Sequence, residues 1–303
     1  MASIKEILKL IRPKQWAKNL FVFLPLFFDK KILELDYLLP AVVLFFAFCF
    51  ASSGVYCFND IHDVEADRKH PKKCRRPIAS GTISKSLGMT IMATCFFIAL
   101  CLMSFGFTDL FGGGKRWIIS CVIIICYVLM NIAYCVRLKQ IAIVDVFIIS
   151  VGFVLRIAVG GLSTGIFLSH WIVLMTFLLA LFLAFAKRRD DVALYEKTGE
   201  VMRKNIVRYN LSFINQVMGI VGGMTIVCYL MWSVSPEIVE RLGSSYLYVT
   251  SIFVLAGIIR YLQITIVDGR SGSPTAILYR DRFIHACLIG WGLSFIIIIY
   301  VLR

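Results

Sequence analysis

The chain has 303 residues, 59% of them hydrophobic and 17% charged, with a net charge of +14 at neutral pH. A soluble domain is about a quarter charged, so this composition excludes an ordinary globular enzyme and a soluble domain with a single tail anchor. The basic surplus raises the question of nucleic acid, which the placement of the charges answers.

The N-terminal segment (Lys5, Lys9, Arg12, Lys14, Lys18) is basic and amphipathic, without the short apolar core and small-residue cleavage site of a secretory signal. A membrane-spanning helix needs about 20 apolar residues. The apolar runs predict nine such helices, near 19–35, 38–58, 86–106, 117–136, 141–164, 170–187, 212–233, 246–264 and 283–302. The expected fold is therefore an all-α integral membrane protein, a single domain over 1–303, without linker or low-complexity tract. Gly112, Gly113 and Gly114 predict a turn in the link 109–116.

Nine spans that start inside place the N-terminus, 59–85, 137–140, 188–211 and 265–282 in the cytoplasm. With Lys187 and Arg260 these segments hold 25 of the 32 Lys and Arg, while six lie on the opposite side and Arg156 lies within a span. That asymmetry is the positive-inside rule. It accounts for much of the surplus by topology, so membrane lipids are expected as partners and nucleic acid is not. The ten cysteines lie mostly in apolar segments without CxxC spacing and read as small core residues. Two cytoplasmic links, 59–85 and 188–211, are long and charged and follow spans four apart, which suggests two related four-helix units plus one extra helix.

The first of these links carries the chemistry. The second span runs into Asn59-Asp60-Ile61-His62-Asp63-Val64-Glu65-Ala66-Asp67. At about 100° per residue, Asp60, Asp63 and Asp67 fall on one helical stripe with Asn59 beside them. Three such carboxylates repel unless something offsets them. Oxygen ligands suit a hard cation, and Mg2+ typically joins a few carboxylates to substrate phosphates. Pro71 then predicts the end of the helix. Lys72, Lys73, Arg75 and Arg76 follow, where diphosphate oxygens need neutralising.

Three further groups of residues are candidates. Helical spacing places Arg12, Gln15 and Asn19 on one stripe and Lys14 with Lys18 on the next, while Trp16 also suits an interfacial anchor. In the fifth span Asp145, Gly152 and Arg156 share a face, the two charges about 16 Å apart along the axis. Arg156 near mid-membrane is costly without a partner or a wet cavity. After the sixth span, Lys187-Arg188-Arg189-Asp190-Asp191 reads either as an i,i+4 pair of Lys187 with Asp191 or as added phosphate binding by Lys187 and Arg188.

The run Asn59-Asp60-x-x-Asp63-x-x-x-Asp67, followed by His70-Pro71-x-Lys73-x-x-Arg76-Pro77, resembles the first aspartate-rich motif of the UbiA superfamily of intramembrane prenyltransferases. The resemblance implies a bundle of about nine helices around a central cavity open to the cytoplasm. It also implies that Asn59, Asp60, Asp63 and Asp67 bind a Mg2+-complexed diphosphate. Most prenyl-transferring members carry a second acidic motif after the sixth span, where this chain is more basic than acidic. With Arg12-Pro13-x-Gln15-Trp16-x-Lys18-Asn19, Lys187-Arg188 and the fifth-span pattern, the chain is similar to the polyprenyl-phosphate phosphoribosyltransferase branch, typified by the decaprenyl-phosphate enzyme. That branch takes 5-phosphoribosyl diphosphate and a polyprenyl phosphate and releases pyrophosphate. Lys139, Arg208, Tyr209 and Asp281 are further carry-overs from its pattern. The resemblance thus implies that Asp60, Asp63 and Asp67 are catalytic. Substrate binding falls to Gln15, Lys18, Asn19, Asn59, Lys73, Arg76, Lys139, Asp145, Arg156, Lys187, Arg188 and Asp191. Rival readings are an ordinary UbiA prenyltransferase with a polyprenyl diphosphate donor, and a transporter. The sequence leaves open whether the chain forms a homo-oligomer.

Overall fold

The computed structural model describes residues 3–70, 73–105, 114–199, 204–269, 277 and 279–300. Among them every regular element is helical. The chain, expected as one domain, divides into two compact units: Met1–Lys139 with Gly152–Leu168, and Gln140–Val151 with Ser169–Arg303.

In the first unit, α1 (Ile4–Ile11) starts at Ser3, whose hydroxyl accepts from the Lys5 amide. A 3-10 helix, Pro13–Phe23, passes into α2 (Leu24–Phe28). Then come α3 (Leu35–His62), α4 (Val64–Lys69), α5 (Lys85–Ser104), α6 (Lys115–Val136) and the later part of α7 (Val144–Thr164). α3 is the central helix: 61% of its apolar window is buried, against 22% in α5 and α6. Its run of small residues, Ala51, Ser52, Ser53 and Gly54, lets neighbours come close. A Cβ on Gly54 would lie 2.6 Å from the Phe96 ring of α5. Leu44, Phe48, Ile124, Tyr127 and Val159 fill the adjoining core.

The second unit holds the start of α7, then α8 (His170–Thr198), α9 (Leu211–Val234), α10 (Pro236–Leu242), α11 (Ser251–Ile266) and α12 (Arg282–Tyr300). Phe182, Ile206, Ile214, Met218 and Tyr261 anchor its core. Polar groups among apolar helices find each other: the Trp291 indole donates to Tyr229 Oη at 2.6 Å, and Tyr229 pairs with Thr250 at 2.6 Å.

Among the described residues, eight helices are long and apolar enough to cross a membrane, against the nine expected. The missing one is the first, over 19–35, because Asp29, Lys30, Lys31 and Glu34 cut its apolar run short and α2 stops at Phe28. The segment nevertheless runs along α3. Arg12 meets Asp60 near one end of α3, Trp16 meets Ser53, Asn19 meets Ser52, and Lys31 reaches Tyr37 near the other end. A 3-10 helix rises about 2.0 Å per residue, so Pro13–Phe28 extends about 30 Å, the thickness of the hydrocarbon core. The chain is an integral multi-pass membrane protein.

A 3-10 run of this length is unusual, and Gly160 of α7 helps to seat it. A Cβ at Gly160 would stand 1.9 Å from the Val22 carbonyl oxygen. Because that neighbour is backbone, Gly160→Ala is expected to push the segment away and cost about 1–3 kcal/mol. Thermal unfolding in detergent checks this, and an unchanged midpoint would refute the tight seating.

α4 ends at Lys69, and His70 is already extended (φ −89, ψ 131), as the residue before a proline prefers. Pro71, expected to end the helix, lies outside the described residues, as do Gly112 and Gly113 of the expected turn.

Candidate functional site

The acidic stripe is not one stripe. α3 ends at His62, and Asp63 leaves the helix (φ −91, ψ 9) before α4 begins. The break divides the three carboxylates between two sets of cations. Nη1 of Arg76 donates to Asp60 Oδ1 at 3.0 Å and to Asp67 Oδ2 at 2.6 Å, joining these two side chains. Arg12 adds a bond to Asp60 Oδ1 at 2.6 Å. Asp63 turns to Lys139, whose Nζ lies 2.6 Å from each of its oxygens, and to His62 Nδ1 at 3.0 Å. The repulsion expected among the aspartates is thus offset by the protein's own cations.

Arg12, a candidate on the N-terminal stripe to which the resemblance gives no metal or substrate role of its own, is brought to the acidic site. α1 ends there in the left-handed region (φ 54, ψ 60), and this turn aims the guanidinium at Asp60 and over the Tyr56 ring, 5.0 Å away. Nothing in the spacing announces a left-handed arginine. Lys73 is half-buried, with its amide donating to His70 Nδ1 at 3.3 Å. Asn59 is half-buried beside Asp60 and makes no side-chain hydrogen bond among the described residues.

Burial pushes the Asp67 carboxyl above its ordinary range, against the pull of Arg76 and Lys73. Burial also acts on Asp63, but Lys139 and His62 outweigh it and hold that carboxyl below the usual range. A depressed acid stabilises the fold above its unfolded pKa and loses that contribution as pH falls through the lower folded value. Lys139→Met is therefore expected to lower stability near neutrality by about 1 kcal/mol, the partial exposure of the pair limiting the effect. The difference from wild type should begin to shrink near pH 4, the ordinary carboxylate range, and disappear as pH falls through the lower folded value. Melting temperatures across pH 3–7 check the sign, and a gap that widened in acid would refute it.

Among the described residues no three His, Cys, Asp or Glu side chains converge as a ready cation cage. The donor set nevertheless fits Mg2+ in its substrate-bridging mode, which uses one or two carboxylates and completes the shell with phosphate and water. Asp60 and Asp67 share one guanidinium nitrogen, and Asp60 Oδ2 is buried without a hydrogen-bond partner.

The N-terminal stripe also differs from expectation. A 3-10 helix repeats every three residues, so Trp16, Asn19 and Val22 share a face rather than Arg12, Gln15 and Asn19. Trp16 donates to Ser53 Oγ at 3.0 Å and so is tied to α3 instead of anchoring at an interface. Asn19 is buried and donates to Cys49 Sγ and Ser52 Oγ. Gln15 and Lys18 lie together on another face, and Lys18 has no carboxylate partner among the described residues. Arg156, expected to touch substrate, is closed in. It donates to Asn19 Oδ1 (2.8 Å), Gly152 O (2.6 Å) and Tyr127 Oη (3.0 Å), with the Phe48, Tyr127 and Phe153 rings about it. Three neutral acceptors and an aromatic cage hold this charge without a carboxylate.

A separate polar cluster lies in the second unit. Arg188, expected to bind phosphate, is buried between Asp145, with Nε 2.9 Å from Oδ2, and Asp191, which its Nη1 contacts directly. Asp145 Oδ1 also accepts from Tyr209 Oη at 3.3 Å, and the Tyr209 oxygen accepts from the Ile143 amide at 2.6 Å. Burial pushes the Tyr209 hydroxyl up to about 12, so it stays protonated and can donate. Ile143 adopts φ 71, rare for a β-branched residue. Arg189 is tied to Asn215 Oδ1 at 2.8 Å, while Lys187 is exposed. Arg260 and Asp281 pair at 2.7 Å.

Comparison with known proteins supplies the family of the chain. The model of the UbiA prenyltransferase family matches residues 33–288. Decaprenyl-phosphate phosphoribosyltransferase of Mycolicibacterium smegmatis is 33% identical over 298 residues, covering 95% of this chain and 90% of that protein. The protein of the same name from Corynebacterium glutamicum is 29% identical over 98% of this chain and 87% of its own length. A UbiA homolog from Archaeoglobus fulgidus, solved bound to GPP and Mg2+, superposes with a TM-score of 0.69 at 19% identity, covering 96% of this chain and 99% of that one. The chain belongs to the UbiA prenyltransferase family.

Proposed function

We propose that this enzyme transfers the 5-phosphoribosyl group from 5-phosphoribosyl diphosphate to a polyprenyl phosphate and releases pyrophosphate. The observation that carries this reading is near-full-length identity to relatives named for phosphoribosyl transfer to decaprenyl phosphate. The basic character of the second link supports it, since this donor and acceptor together bring more phosphate than a prenyl donor with an aromatic acceptor.

In the reaction, an oxygen of the acceptor phosphate attacks C1 of the ribose as the C1–O bond to diphosphate breaks. Positive charge builds on the ribosyl carbon, and negative charge on the leaving pyrophosphate. Asp60 and Asp67, with Asn59 beside them, would hold Mg2+ where the diphosphate binds, and Asp63 orients Lys139. When bound, the ion supplies charge neutralisation to the leaving group. Arg12 and Arg76, at about a quarter side-chain exposure, can turn from the carboxylates to phosphate oxygens, with Lys73 beside them. Lys187 serves any phosphate that reaches the exposed side of α8. Gln15 and Lys18 receive the acceptor phosphate, while Asn19 and Arg156 fix the segment that carries them. Because the acceptor is already an anion, no strong general base is needed. The N-terminus and the acidic end of α3 face the cytoplasm, a placement supported by the Lys and Arg distribution.

The test supplies purified protein with labelled 5-phosphoribosyl diphosphate and a polyprenyl phosphate, and in a second arm with a labelled polyprenyl diphosphate and an aromatic acid. Label is expected to enter lipid in the first arm, lost on chelation of Mg2+. Product in the second arm alone would discard the phosphoribosyl reading in favour of prenyl transfer.

A further inference from the structure

Among the described residues two carboxylate pairs are each bridged by one arginine, and the two bridges differ in a way that bears on metal binding. In the first unit Arg76 bridges Asp60 and Asp67, with its side chain 23% exposed. In the second unit Arg188 bridges Asp145 and Asp191, with its side chain 1% exposed. A bridging cation on the water side can be exchanged for a divalent ion arriving with a phosphate ligand. A cation sealed in the core cannot, because leaving would strand both its own charge and a buried carboxylate.

We infer that Arg188 is a resident cation occupying the Asp145–Asp191 pair, and that it limits this chain to divalent binding at Asp60 and Asp67. Asp145 is fully buried, and the guanidinium of Arg188 held against it inside the protein offsets its charge. The Arg188–Asp145 contact is short, yet neither Nε nor Oδ2 makes an aligned hydrogen bond, so its character is charge against charge. Tyr209 completes the pocket by donating to the other Asp145 oxygen and by tying it to the start of α7 through the Ile143 amide. Without the guanidinium, the same aspartates become a hard oxygen pair of the kind that takes Mg2+ or Mn2+. Arg188 is on this view a positioning residue that neutralises Asp145 and orients Asp191, whose side chain is 27% exposed and remains within reach of a ligand.

The inference rests on reading Asp60 and Asp67 as the divalent site, but its test is a difference that does not depend on how that site performs. Mn2+ binding is counted per chain by equilibrium dialysis with electron paramagnetic resonance, using full-length protein in micelles with saturating inorganic pyrophosphate. In the wild-type background, Asp145→Asn and Asp191→Asn are expected to leave the count unchanged. Arg188→Ala is expected to bind one more ion than wild type, Arg188→Lys to return to the wild-type count, and Arg188→Ala with Asp145→Asn to lose the gain. Loss of one ion in either single aspartate variant would overturn the inference, and this arm stands even if Arg188→Ala fails to fold. A helical Arg188→Ala protein with no added ion would overturn it as well. A wild-type count of zero would instead contradict the proposed Mg2+ site at Asp60 and Asp67, while the Arg188 difference would still decide this inference.

Discussion

Asp60→Asn is expected to lower phosphoribosyl transfer by about 10²–10³-fold, the size of effect seen when one preorganised group opposite developing charge is removed. Asp60 is where the cations converge: Arg12 and Arg76 both bond its Oδ1, and its buried Oδ2 has no partner. Asparagine keeps the shape but removes the charge and turns one acceptor into a donor. The Mg2+ concentration for half-maximal rate should therefore rise together with the fall in kcat. Asp67→Asn should act in the same direction, because Arg76 joins the two carboxylates. A variant with normal rate and normal Mg2+ dependence would remove Asp60 from the site. Steady-state kinetics with the labelled donor, titrated with Mg2+, measures both quantities.

The second large effect concerns stability. Arg156→Met is expected to cost about 3 kcal/mol or more, because it strands Asn19 Oδ1 and the Tyr127 hydroxyl, takes a second bond from the Gly152 carbonyl and removes the cation from its ring cage. Arg156→Lys keeps the charge but cannot reproduce the three-way fork, so it should restore only part of the loss. Thermal unfolding of the two variants in one detergent tests this. If Arg156 instead bound substrate directly, Arg156→Lys would unfold like wild type and differ only in KM. The network also explains why a charge persists at this depth. Asn19 links Arg156 to the 3-10 segment, so one of the bonds that satisfy the arginine also helps to hold Gln15 and Lys18 in register.

The helical class and the acidic motif were legible in the sequence, because both depend on local patterns: apolar runs of bilayer length, and carboxylates at short spacing. The limits came where local geometry departs from the ideal α-helix. Asp63 stops α3, which splits a stripe that the 100° rule keeps whole. Pro13–Phe23 winds as a 3-10 helix, which moves Asn19 away from the face of Gln15 and lengthens a segment too short for an α-helical span. Partner choice was also hidden, since spacing gives proximity only within one helix. Lys139 reaches Asp63 across 76 residues, and Arg156 reaches Asn19 across 137. Arg188 misled for the opposite reason. Its basic neighbours mark a phosphate surface, while its own side chain turns inward to Asp145, and only tertiary burial distinguishes the two.

The most direct measurement is an experimental density map of the protein with Mg2+ and 5-phosphoribosyl diphosphate. An ion is expected about 2.1 Å from oxygens of Asp60 and Asp67, with diphosphate on its far side and the Arg12 and Arg76 guanidinium groups moved from the carboxylates onto phosphate. Diphosphate bound elsewhere, with the Asp60–Arg76–Asp67 bridge still closed, would contradict it.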